Sequence, residues 1–174
     1  MVGGLQFEDL NYSVAVPFKD TILGLAVSDT DLAVMTQKGV FIFSWMNNAW
    51  TYNTAFFTDT GFPINLLLHA PIEIKDNRMV VGSPDLNTVY ILEKQNSSWS
   101  QLAHYVDSNV GSDFGRAVDI DGDRVIVASS TATSFFRIVN GQMVLLNEDT
   151  QYAGQRVAIS GDNAVAGLRF TGIT

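Results

Sequence analysis

Val118-Asp119-Ile120-Asp121-Gly122-Asp123-Arg124-Val125-Ile126-Val127-Ala128 is the stretch that decides the fold of this chain, because the chain says it four times. Val157-Ala158-Ile159-Ser160-Gly161-Asp162-Asn163-Ala164-Val165-Ala166-Gly167 repeats its apolar alternation and its Gly-Asp pair. Two weaker copies lie upstream, Ile72-Glu73-Ile74-Lys75-Asp76-Asn77-Arg78-Met79-Val80-Val81-Gly82 and Leu25-Ala26-Val27-Ser28-Asp29-Thr30-Asp31-Leu32-Ala33-Val34-Met35. The second turn residue falls at Thr30, Asn77, Asp123 and Asp162, in steps of 47, 46 and 39 residues. A period of that size marks a stacked or radial repeat architecture.

Each copy reads as a β-hairpin. Val118 and Ile120 share one face, and Val125 and Val127 resume the period of two after a two-residue break. Gly122-Asp123 and Gly161-Asp162 suit the primed turns of short hairpins, so positive φ is expected at both glycines. Asp76-Asn77 tolerates the same backbone, whereas the β-branched Thr30 predicts a different turn in the first copy. A second strand pair follows each hairpin. Val40 to Trp45 leads through Asn47-Asn48 to Trp50, and Val89 to Lys94 leads through Asn96-Ser97-Ser98 to Trp99. Phe135 to Val139 leads through a tighter Asn140-Gly141 turn to Met143 in the tryptophan position. Two hairpins per period make a four-stranded unit, one blade of a β-propeller.

Phe114-Gly115-Arg116-Ala117-Val118, followed by Ile120-Asp121-Gly122-Asp123 and a valine-rich strand, resembles an FG-GAP repeat of the integrin α-subunit propeller type. Gly82-Ser83-Pro84 stands where that family has Gly-Ala-Pro, and Trp99-Ser100-Gln101 resembles the outer-strand ending of its microbial relatives. The resemblance covers roughly residues 22 to 170 and is fullest in the third repeat. Only Phe114-Gly115 keeps the Phe-Gly pair; Ala153-Gly154 keeps the glycine, and Leu68-His69 replaces both. It implies an all-β propeller of antiparallel four-stranded blades, with repeats at about 22–62, 63–112, 113–151 and a partial 152–174. It also implies a recognition or adhesion role, with an extracellular or cell-surface setting. No Trp-Asp dipeptide occurs to support a WD40 reading, and the Gly3-Gly4 pair lies outside a kelch context.

Three repeats and a hairpin do not close a ring of six or seven blades, so a partial propeller is expected, as part of a longer protein. The other arrangement is a closed four-bladed ring, with Leu5-Gln6-Phe7 and Tyr12 to Val16 completing the last blade in place of Leu168 to Thr174. Asn65 to His69 reads as a helical turn or a buried strand.

The chain is 47% apolar and only 16% charged, against about 25% charged in an average domain, which suits sheets covered by other sheets. A formal charge of −8 disfavours phosphate backbones, so nucleic acid is not an expected partner. No apolar run approaches the length of a spanning helix, and no basic-then-apolar start marks a signal peptide. The absence of cysteine excludes disulfides and thiolate metal sites. Asn11-Tyr12-Ser13 and Asn96-Ser97-Ser98 fit the glycosylation sequon at a frequency near chance.

Chemistry-bearing patterns are sparse. Asp119, Asp121 and Asp123, preceded by Asp107, Asn109 and Asp113, place oxygen ligands at alternate positions, the spacing of a calcium loop. Calcium-binding members of the family carry a longer inserted Asp-x-Asp-x-Asp-Gly loop, whereas here Arg124-Val125 begins a strand at once. A hairpin turn therefore accounts for these acids, no metal or cofactor is expected, and the three should point apart. His69 and His104 have no partner at ligand or triad spacing, and no phosphate loop, dinucleotide fingerprint or nucleophile elbow occurs. Trp50 and Trp99 occupy one repeat position and read as packing residues, which leaves Trp45 as the candidate exposed aromatic.

The expected function is a non-catalytic recognition module presenting blade loops to a protein or glycan. The alternatives are a glycan-active enzyme with carboxylates around the central channel and a calcium-dependent adhesion module. Two carboxylates from different repeats meeting at the channel would favour the enzyme.

Overall fold

The computed structural model describes residues 21–58 and 71–167. Four antiparallel sheets stand side by side. The first contains β1 (Ile22–Val27), β2 (Asp31–Thr36), β3 (Val40–Met46) and β4 (Ala49–Phe56) in simple meander order. The second contains β5 (Ile72–Lys75), β6 (Arg78–Ser83), β7 (Thr88–Gln95) and β8 (Ser98–Val106). The third contains β9 (Ala117–Asp121), β10 (Arg124–Ala128), β11 (Thr133–Val139) and β12 (Gln142–Asp149), and the fourth is the pair β13 (Arg156–Ser160) and β14 (Asn163–Gly167). The first strands neighbour one another in the order β1, β5, β9, β13, and the last strands in the order β4, β8, β12. Four-stranded antiparallel blades are thus stacked about an inner line of first strands, as in a partial propeller. Residues 1–20, Asn65 to His69 and Leu168 to Thr174 lie outside the described residues.

The turns follow their residues. Gly122 and Gly161 have φ of 62° and 56° while the next residue stays negative, the pattern of a type II′ loop. Asp76 takes the same role at φ 54°. In the first copy neither Asp29 nor Thr30 has positive φ, and the Ser28 hydroxyl accepts the Asp31 amide across the turn at 3.1 Å. The outer loops Asn47-Asn48, Asn96-Ser97 and Asn140-Gly141 all have two residues with positive φ. The third is therefore no tighter than the others; strand 98–106 simply begins at Ser98.

Each outer strand carries one bulge at the same place, leaving Asn53, Leu102 and Leu146 unpaired. The first two reach the next blade's outer turn. Asn53 Nδ2 donates to the Ser97 carbonyl at 2.8 Å, and Leu102 packs beside Gly141. Leu146 is 62% exposed.

Two apolar layers fill the gaps between blades. Ala33, Met35, Val40 and Ile42 of the first blade meet Ile72, Met79, Val81, Leu92 and Trp99 of the second. Val80, Val89 and Ile91 on the other side of the second blade meet Val118, Ile120, Val125, Val127, Phe136 and Met143 of the third. Trp99 and Met143 share one position as packing residues, while Trp50 is half-buried beside Trp45, which is 40% exposed. Val157 and Ile159 keep the phase of Val118 and Ile120 but are only half-buried, since among the described residues no further strand or blade covers β13 and β14. At the opposite end Leu25 and Val27 are 61% and 62% exposed, since no described blade precedes β1.

The Phe-Gly and Gly-Ser-Pro segments meet at the junction of the second and third blades. Phe114 is buried against Tyr105 and Phe136. Gly115 has φ 92°, and its carbonyl oxygen would lie 2.0 Å from a Cβ at Gly82. Glycine at 82 allows this approach, and glycine at 115 suits the positive φ that presents the carbonyl.

Candidate functional site

The inner hairpins carry most of the charged side chains that link blades. On β9, Asp119 and Asp121 point to the same side because they are two apart. Asp119 Oδ1 accepts the Ile120 amide and its Oδ2 the Ile159 amide on β13, both at 2.7 Å. Asp121 accepts the Gly161 amide with one oxygen and meets Lys75 Nζ at 2.6 Å with the other. The Gly161 amide, then the Lys75 ammonium, holds its carboxyl below the usual carboxylate range. Asp123 turns the other way, to Arg137 Nε at 2.6 Å, and that guanidinium lowers its pKa. The three acids of the calcium-like spacing thus serve separate protein partners. Among the described residues no group of three or more acidic or histidine side chains is arranged to hold a metal ion. Asp107 likewise closes its own loop, accepting the Asn109 amide and the Ser112 hydroxyl.

Two carboxylates from different repeats do approach each other on the inner strands. Burial, and then the charge of Asp119, raises the pKa of Glu73 on β5. Both Asp119 oxygens are nevertheless occupied by backbone amides, which leaves it poorly placed to act as a base or nucleophile.

Sequence reasoning missed the other junction. Asp31, at the start of β2, is fully buried between the first and second blades. It accepts from Ser44 Oγ at 2.6 Å, Thr30 Oγ1 at 2.7 Å, Lys94 Nζ at 2.7 Å and Trp99 Nε1 at 3.3 Å. Burial alone would raise its pKa, but Lys94 and the three neutral donors outweigh it and lower the value. No spacing signalled this set, because Lys94 and Trp99 lie more than sixty residues away.

Two open pockets are lined by described residues. A groove of about 300 Å³ runs between the outer parts of the first and second blades. Phe56, Phe57 and Tyr90 line it together with Gln101 and His104. Phe56 and Tyr90 meet edge to face at 5.3 Å, and His104 is exposed on β8 beside Gln101. Periodicity gave no sign of this groove, because its aromatics come from strands more than thirty residues apart. A smaller pocket, about 120 Å³, lies at the entry of the inner strands, where Glu73, Arg116 and Arg156 share its wall. His69 lies outside the described residues.

No helix among the described residues is long and apolar enough to cross a membrane. No family model matches the chain, and no curated protein does. In fold it is similar to a protein from Lactobacillus plantarum of known crystal structure, with a TM-score of 0.58 and 14% identity. The match covers 75% of this chain but only 42% of that one, and at this identity the likeness shows the fold alone.

Proposed function

We propose that the chain is part of an FG-GAP-like propeller that acts as a non-catalytic recognition module, holding a glycan in the groove between its first two blades. The observation that carries this reading is the groove's lining: three aromatic rings with an amide and an imidazole on the wall. Rings offer flat apolar faces for the C–H side of a sugar, and Gln101 and His104 supply hydrogen bonds to its hydroxyls. Of the inner-strand carboxylates, Asp119 and Asp121 are spent on tying blades together. The FG-GAP assignment rests on Phe114-Gly115 docking against Gly82-Ser83-Pro84, which gives both motifs one structural purpose.

An oligosaccharide array followed by calorimetry tests the reading. Phe57→Ala and His104→Ala change exposed side chains and should leave the melting temperature within a few degrees. Each should weaken binding by about tenfold, the loss of one good contact in a small site. Failure to bind any oligosaccharide, or binding indifferent to both substitutions, would overturn it.

A further inference from the structure

The smaller pocket reproduces, one step along the strands, a site that the protein fills with its own carboxylate. Asp119 bridges two adjacent inner strands by accepting the Ile120 amide of β9 and the Ile159 amide of β13. Those amides are available because in each hairpin they belong to non-hydrogen-bonded pairs, Ile120 with Val125 and Ile159 with Ala164, and so face away from the partner strand. The same alternation applies two residues earlier. Val118 pairs with Val127 and Val157 with Ala166, so the amides of Val118 and Val157 also point to the inner edge. The residue standing where Asp119 would be is Ala117, whose side chain ends at Cβ and accepts nothing.

Ala117, Val118 and Val157 all line the 120 Å³ pocket, and so do Arg116 and Arg156. Asp121 is held by Lys75 and Asp123 by Arg137, but the guanidiniums of Arg116 and Arg156 are not among the ion pairs of the described residues. Arg116 and Arg156 share the pocket's wall with one carboxylate, Glu73, whose charged form is disfavoured by burial and by the neighbouring Asp119.

We propose that this pocket binds the carboxylate group of a ligand, which bridges the Val118 and Val157 amides as Asp119 bridges those of Ile120 and Ile159, with Arg116 and Arg156 as counter-charges. Charge-assisted hydrogen bonds to guanidinium and backbone amides are the interactions such a group selects. A volume of about 120 Å³ admits a carboxylate end group or a small free acid. The site shares no lining residue with the aromatic groove and is tested independently of it.

The test is an acetate titration of the whole chain followed by amide proton–nitrogen shifts, with inorganic phosphate as the comparison anion. Saturable shifts of the Val118 and Val157 amides are expected with acetate. Arg156→Ala should weaken binding by about tenfold, as loss of a charge-assisted contact does. Arg137→Ala, whose guanidinium serves Asp123 outside the pocket, should leave acetate affinity unchanged. Ala117→Asp should supply the missing carboxylate from within and abolish binding. Absence of saturable acetate shifts, shifts centred elsewhere, affinity equal in the Arg156 and wild-type proteins, or binding of phosphate without acetate would each overturn the proposal.

Discussion

Asp31 shows how one side chain can join two blades. A carboxylate at zero exposure is stabilising only when its lone pairs and charge are met, and here Ser44, Thr30, Lys94 and Trp99 do so. Removing it strips the shared acceptor from the Ser44, Thr30 and Trp99 donors and the counter-charge from Lys94, so Asp31→Ala should cost about 3–5 kcal/mol, the range for breaking a buried pair. The pH dependence has a definite sign. Because the folded-state pKa is lowered, the contribution is present above the unfolded pKa and is lost as pH falls through the folded one. Thermal melts from neutral to strongly acid pH should show a shallower acid limb in Asp31→Asn than in the wild type; parallel curves would refute the assignment. Nothing in the local sequence announced this role. Asp31 reads as the residue after a turn, and its partners Lys94 and Trp99 become neighbours only when the second blade docks.

The elements were legible where chemistry is local. Gly122-Asp123 and Gly161-Asp162 specify their hairpins because positive φ at the first loop position favours glycine, and the misfit of Thr30 marked the one inner turn that differs. Burial of Val157 and Ile159 was not legible from pattern, since equal sequence phase gives equal burial only where the neighbouring sheets are equal too. The calcium-like acids illustrate the same limit. Spacing places Asp119 and Asp121 on one face of β9, but only the position of β13 shows that their acceptors serve the Ile159 and Gly161 amides. Asp119→Ala should therefore loosen β13 specifically. In hydrogen exchange, the Ile159 amide should lose protection by about tenfold or more, while Ile126 in the middle of β10 stays as slow as before. Equal acceleration at both would show that Asp119 acts on the third blade as a whole.

At the scale of the molecule, stability should follow how many faces of each blade are covered. A stack of repeats gains its free energy from each unit and from the interfaces between neighbours, so opening begins where interfaces are fewest. The second blade is sandwiched, with Met79 and Val81 in one apolar layer and Val80, Val89 and Ile91 in the other, all at zero exposure. The third is covered on one side by the second blade and on the other by a sheet of which two strands, β13 and β14, are described. In that sheet Val165 is 67% exposed, and its attachment relies on the Asp119 and Asp121 carboxylates and the Arg124–Asp162 pair. Native-state hydrogen exchange should accordingly rank β13 and β14 fastest, the third blade next, and the second blade slowest, at the rate of global unfolding. High salt should widen the gap between the fourth sheet and the rest, because exposed ion pairs are screened while apolar layers are not. Uniform exchange across all blades, insensitive to salt, would mean that the stack opens as one cooperative unit and that the charged contacts at its thin end contribute no local stability.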